Sequence, residues 1–215
     1  MKNVKRIALM LVCILVVGVL GGCGAKFDPV AYTQANLDNV FKNDSAKLVE
    51  MGAGTAEEAE EIFNQGIDAQ MAAFTMTGIE LSEELTADIR TTFVDLFSKV
   101  KYKVESAEKQ EDGSYIVTVT YEKMKFFGPA MAKYYEEMNK IDATQLADAD
   151  EAALMELSFS TMNDCFKATL ENVEYEAPAT TTVKIEMVDK KYTMTEAETT
   201  KFADVVFDGD AISNN

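Results

Sequence analysis

The sequence predicts an α+β domain, and three features of its hydropathy pattern carry that expectation. Apolar residues recur every three or four positions through residues 28–100, the period drops to two from Tyr102 to Tyr121, and it drops to two again from Val183 to Met194. Strands that arrive as hairpins between helical blocks build an antiparallel sheet with helices on one face, not a parallel doubly wound sheet. The expected architecture is therefore N-terminal amphipathic helices plus antiparallel β-hairpins forming one sheet packed against helices.

The elements follow in order. Asp28-Pro29 supplies an N-cap and a first-turn proline, opening a helix with Val30, Leu37, Val40 and Phe41 on one face. A break at Asn43-Asp44 precedes a short segment from Ala46 to Met51 that ends at Gly52. Thr55 with Glu58 three residues on forms a capping box, starting a helix striped by Ala59, Ile62, Phe63, Ile67, Met71 and Phe74. Ser82 caps a third helix through Leu85, Ile89, Phe93, Phe97 and Val100. Two strands around the turn Glu111-Asp112-Gly113-Ser114 form a hairpin, and the pattern allows the second strand to continue through Met124 to Phe126.

Gly128-Pro129 then punctuates the chain before a helix bearing Met131, Tyr134, Tyr135 and Met138. Asp148 followed by Glu151 opens the longest helix of the second half, with Met155, Phe159, Met162, Phe166 and Leu170 facing inward. Val183, Ile185 and Met187, the tight turn Asp189-Lys190, and Tyr192 and Met194 make a second hairpin. Thr195 with Glu198 reads as another capping box, opening a last helix with Phe202, Val205 and Val206. The helices at 82–100 and 151–173 each lead into strands, an architectural rhyme without convincing repetition of residues.

Residues 1–22 differ in kind: Lys2, Lys5 and Arg6 precede an apolar run from Ile7 to Leu20, then Gly21-Gly22 and Cys23. This is a secretory signal pattern. The run falls short of the roughly 20 residues a spanning helix wants, and it ends in glycines where a stop-transfer segment carries charge. Leu20-Gly21-Gly22-Cys23 resembles the lipobox of bacterial lipoproteins, which implies a diacylglyceryl thioether on the Cys23 sulfur and cleavage before it. Two acyl chains hold a protein stably on a membrane where one holds it only marginally. The expected organisation is a signal peptide over 1–22, a lipidated tether over 23–27 and a single α+β domain over 28–215, lipid-anchored on the extracytoplasmic face of the cell membrane.

The chain carries 20 Lys and Arg against 37 Asp and Glu, net −17, with no His and no Trp. Losing the three leader cations leaves 17 bases against 37 acids over 193 residues, net −20. Such a polyanion repels phosphate backbones, so nucleic acid is not an expected partner. Without histidine the chain lacks the commonest general base and metal ligand, and a Ser-His-Asp triad has no base. Cys13 leaves with the leader and Cys23 takes lipid, which leaves Cys165 as a small buried thiol with no histidine to activate it. Zinc lacks a Cys/His cluster, and no glycine-rich phosphate loop occurs.

The acids at Glu57, Glu58, Glu60 and Glu61, and again at Asp148, Asp150 and Glu151, read as solvated helix starts that complement the dipole. Glu111-Asp112-Gly113 and Asp208-Gly209-Asp210 are acidic turns without the twelve-residue spacing of a calcium loop. The methionine pairs Met131/Met138 and Met155/Met162 read as adaptable core packing. Arg90, the single arginine after cleavage, reads as a solvent-facing i,i+4 ion-pair partner. Tyr134 and Tyr135 lie on a helix placed to cover a pocket, although amphipathic packing is the plainer role.

A wider resemblance rests on Phe27-Asp28-Pro29, Thr55-Ala56-Glu57-Glu58-Ala59-Glu60, Tyr115-Ile116-Val117-Thr118-Val119 and Val183-Lys184-Ile185 in this order after a lipobox. The layout resembles small uncharacterised lipoproteins of Firmicutes, some of which are compared with the cystatin-like or nuclear-transport-factor-two-like α+β superfamily. That resemblance implies a curved antiparallel sheet wrapped on helices, able to enclose a pocket. The expected function is a non-enzymatic binding or interaction module with no cofactor and no metal. The alternatives are a small-ligand pocket protein and an enzyme working through carboxylates and tyrosines. With 193 residues the mature chain is short for a two-lobed substrate-binding protein.

Overall fold

The computed structural model describes residues 27–75, 80–141 and 149–209, together with the backbone of residues 19 and 20. Cys13, Cys23, Asp148, Asp210 and the loop from Asp142 to Ala147 lie outside the described residues. Among those described, the order is β1 (Val19–Leu20), α1 (Pro29–Lys42), α2 (Ala46–Glu50), α3 (Ala56–Thr75), α4 (Glu83–Ser98), β2 (Lys101–Lys109), β3 (Tyr115–Glu122), β4 (Met124–Lys125), α5 (Phe127–Lys140), α6 (Glu151–Leu170), β5 (Glu174–Tyr175), β6 (Ala179–Val188), β7 (Lys191–Met194) and α7 (Glu196–Val206). This is an α+β fold built on a four-stranded antiparallel sheet, β2-β3-β6-β7, with the two-residue β1 added at the β7 edge.

Local chemistry sets the helix starts much as the spacing implies. The Asp28 carboxylate accepts from the amides of Val30 and Ala31 at 3.0 and 3.1 Å. Thr55 and Glu58 close their capping box, with Glu58 Oε2 accepting from the Thr55 amide at 2.8 Å and Thr55 Oγ1 from the Glu58 amide at 3.1 Å. Asn43 ends α1 in the left-handed region at φ 53°, where asparagine is tolerated. The turn Asp189-Lys190 takes positive φ at both positions, 49° and 66°, as a two-residue hairpin with matched twist requires.

Four expectations are corrected, three of them because a distant partner wins over a local one. The strand does not run on through Met124 to Phe126; β4 leaves the main sheet and pairs with β5 in a separate ribbon, so the strands form two sheets. The helix after Gly128-Pro129 starts earlier, at Phe127, because Asp208 caps it from across the chain. Its carboxylate accepts from the amides of Phe126, Phe127 and Gly128 at 3.1, 2.8 and 3.1 Å. In the longest second-half helix the capping side chain is Asp150, bonded to the Ala153 amide at 2.8 Å. Thr195 makes no side-chain cap. Glu198 instead accepts from the backbone amide of Lys184 at 2.7 Å, and Lys201 donates to the Thr182 carbonyl at 3.1 Å. β7 pairs only with residues 185–188 of β6, so these two side chains of α7 satisfy polar groups on the edge that β7 leaves open.

One face of the sheet is buried through Val104, Val117, Val119, Val183 and Ile185, and α1 packs on it against β2 and β3. α1 in turn contacts α3 and α4, α4 contacts α6, and α6 contacts α5. The sheet's outer face carries Thr118, Thr120, Thr180 and Thr182, all at least partly open. Among the described residues no helix is long and apolar enough to cross a membrane.

Asp208→Ala should leave three N-terminal amides of α5 without their acceptor. The expected cost is about 1–2 kcal/mol, with faster hydrogen exchange confined first to residues 126–130; unchanged exchange there would show that Asp208 does not hold this helix start.

Candidate functional site

Two clusters of polar side chains have the density of a site. The first is a groove between α4 and α6, of about 590 Å³, lined by Ser82, Glu84, Leu85, Ala87, Asp88, Thr91, Glu156 and Ser160. A second depression of about 350 Å³ shares Thr91 and extends between the same two helices to Lys99, Lys167 and Glu171.

The groove's side chains are already engaged with one another. Glu156 reaches from α6 to the start of α4, where it accepts from the Ser82 amide at 3.0 Å and from the Ser82 hydroxyl. Those two donors hold its carboxyl below the usual carboxylate range. Ser82 Oγ meanwhile accepts from the Leu85 amide at 3.2 Å, as the N-cap of α4. A serine donating to a carboxylate has the outline of a nucleophile and base, but a carboxyl whose pKa is lowered takes up a hydroxyl proton less readily. The pair is built as a helix cap bridging two helices. About two turns further, Asp88 accepts from Lys167 Nζ at 2.5 and 2.6 Å and from Asn163 Nδ2 at 2.8 Å. Asn163 is only 1% exposed, and its Oδ1 has no hydrogen-bond partner.

The second cluster is centred on Asp38, on the face of α1 toward β2. Its carboxylate accepts from Tyr102 Oη at 2.8 Å, Lys42 Nζ at 2.8 Å and Gln34 Nε2 at 3.0 Å. Gln34 also accepts from the Val104 amide at 3.2 Å, beside the register shift in β2 between Val104 and Ser106. Burial alone would raise the Asp38 pKa, but the bonds from Lys42, Gln34 and Tyr102 outweigh it and lower it. Burial, then the bond to Asp38, pushes the Tyr102 phenol far above its ordinary value. The tyrosine is thus fixed as a hydrogen-bond donor, and the cluster joins α1 to the sheet.

The residues singled out from the sequence are dispersed. Cys165 is buried, and burial with the nearby charges of Glu137 and Asp164 raises its thiol pKa. Tyr134 bonds Ser158 on α6 at 2.8 Å, so it joins two helices, while Tyr135 is 48% exposed. Met131, Met155 and Met162 pack against the core. Arg90 is corrected: it pairs with Asp68 and donates to Asn64 Oδ1 at 2.9 Å, both on α3, instead of bonding within its own helix. Glu57, Glu58, Glu60, Glu61 and Glu151 are exposed. Asp112 accepts from the Ser114 amide and hydroxyl at 2.9 and 2.6 Å. Among the described residues no three Asp, Glu, Cys or His side chains gather as metal ligands do. Sequence reasoning missed Asp38, Asp88 and Glu156, whose partners on other elements lie 64 to 79 positions away.

Because the folded Asp38 pKa is lowered, its contribution to stability is complete above the unfolded value of 3.8 and is lost as pH falls through the folded pKa. Asp38→Asn should cost about 1–3 kcal/mol at pH 7 and flatten the loss of stability below pH ~4. Urea unfolding across that range checks it, and parallel wild-type and variant curves would contradict it.

A solved structure shares the fold. A Bacillus subtilis protein, ycdA, described by its crystallographers as a candidate lipoprotein, superposes with a TM-score of 0.55 at 14% identity, over 83% of this chain and 56% of the other. The chain therefore spans little more than half the length of that neighbour, and at this identity the likeness is one of fold. No family model matches the chain, and no curated protein matches its sequence.

Proposed function

We propose that this chain is an extracytoplasmic bacterial lipoprotein, held on the cell membrane by lipid on Cys23, that acts as a binding or interaction module and not as an enzyme. The observation that carries the reading is the junction Leu20-Gly21-Gly22-Cys23 after a basic start and an apolar run. The likeness in fold to a candidate lipoprotein is consistent with it.

The α4/α6 groove supports the binding half of the proposal. Glu156 and Asp88 present carboxylates in a surface depression while bonded to Ser82, Lys167 and Asn163; a carboxylate has about four acceptor sites, so the arrangement is suited to recognising donor groups on a partner and poor for proton abstraction. Its volume of about 590 Å³ also falls in the range of small-ligand sites, which keeps a small polar ligand as the second reading.

In a bacterial host, the intact chain should carry a lipid-sized mass increment and fractionate with membranes, and Cys23→Ala should lose both; unchanged fractionation of that variant would defeat the anchor. Native mass spectrometry of the same protein should retain a partner or ligand that Glu156→Gln or Asp88→Asn releases. Turnover of a hydrolase substrate panel, abolished by either substitution, would replace the binding reading with an enzymatic one.

A further inference from the structure

The end of the sheet that carries the β6–β7 turn differs from the rest of the surface. Met187, Val188, Asp189, Lys190 and Lys191 are consecutive exposed residues. Met187 and Val188 are each 46% exposed, more than any other large aliphatic side chain among the described residues. Tyr115, the first residue of β3, lies opposite Ile185, so the last three residues of β6 and the turn project beyond β3. The turn sets Lys190 and Lys191 against Asp189, a local positive excess in a mature chain of net −20. Nearby, Glu186 is paired with Lys184 at 3.0 Å, and the adjacent β2–β3 turn carries Lys109, Glu111 and Asp112, so with these neighbours counted this end is neutral where the chain as a whole is strongly acidic.

The chain enters the domain at this same end. Phe27 stacks on Tyr192 with ring centres 3.9 Å apart and planes 15° from parallel, and it also contacts Tyr115 and Tyr32. Tyr192 directly follows Lys191. In the uncleaved chain Leu20 lies opposite Lys191, with β1 antiparallel to β7 and so running toward the turn. Cys23 is four residues from a ring fixed beside the turn, and four residues reach no more than about 14 Å.

We propose that the β6–β7 turn is a lipid-contacting tip, with Met187 and Val188 entering the headgroup layer of an anionic phospholipid surface and Lys190 and Lys191 meeting its phosphates. The inference rests on the anchor reading above. A lipid on Cys23 places this end of the sheet at the bilayer, where apolar side chains bury in the interface and basic ones are attracted to anionic lipid. The acidic remainder is repelled from the same surface, which fixes one orientation.

The test uses the lipidated full chain in vesicles of phosphatidylcholine and phosphatidylglycerol, with a fluorophore on Met187→Cys or, as control, on Thr180→Cys. The control lies seven residues back along β6, about 23 Å away. Cys165 is buried and Cys23 is acylated, so the introduced thiol takes the label. Spin-labelled lipid should quench position 187 at least about twofold more than position 180, as expected for a side chain in the interface. Lys190→Glu with Lys191→Glu should bring the two positions together while the protein still floats with the vesicles. If the protein floats and both positions are quenched alike, or neither is, the tip does not face lipid although the anchor stands. If the wild type fails to float, as Cys23→Ala should, the anchor reading itself falls and the tip with it.

Discussion

Phe41 is the side chain on which the packing converges. It is fully buried near the C-terminal end of α1, and its ring contacts Phe97 of α4, Tyr102 of β2, Phe202 of α7 and Phe207 beyond it, at centroid distances of 6.0, 6.0, 5.8 and 6.5 Å. From there the aromatic contacts continue through Phe127 and Phe166 to Phe74, which meets Phe93 and Phe159. Tilted and edge-on rings add to the area they bury. Rings spaced along the chain from residue 41 to 207 thus connect the sheet to the outer helices.

Around that core the acids have two occupations. Most are solvated, and they give the molecule its charge. A few turn inward to accept from backbone groups left over at element ends: Asp208 at the start of α5, Glu198 at the open edge of β6, Glu156 at the start of α4. Helix starts and sheet edges expose amide donors, and a carboxylate accepts from them more strongly than a neutral group does. Histidine is absent from the sequence, so carboxylates, amides and hydroxyls make these connections. The α4/α6 groove adds side-chain donors, Asn163 and Lys167 on Asp88, and the same atoms that hold the helices form its walls.

The fold was legible wherever the controlling contact was local. Asp28, Thr55 with Glu58, Ser82 and the Asp189-Lys190 turn act within four residues of themselves, and their spacing identifies them. The alternation in β2, β3 and β6 shows the sheet because one face is buried and the other is wet. Legibility ended where a distant group won. Thr195 and Glu198 have the spacing of a capping box, yet Glu198 finds an unpaired amide on β6. Arg90 has Thr86, Ala87, Phe93 and Val94 three and four positions away on its own helix, none of them acidic, and takes Asp68 on α3. The two clusters were hidden for the same reason, since Asp38 with Tyr102 and Glu156 with Ser82 become neighbours only after folding.

Truncating the side chain at the convergence point tests the packing most directly. Urea unfolding of Phe41→Ala, followed by both tyrosine fluorescence and far-ultraviolet circular dichroism, should show one coincident transition destabilised by about 3–5 kcal/mol. A loss below about 1 kcal/mol, or separate transitions for the two probes, would contradict a single core assembled around Phe41.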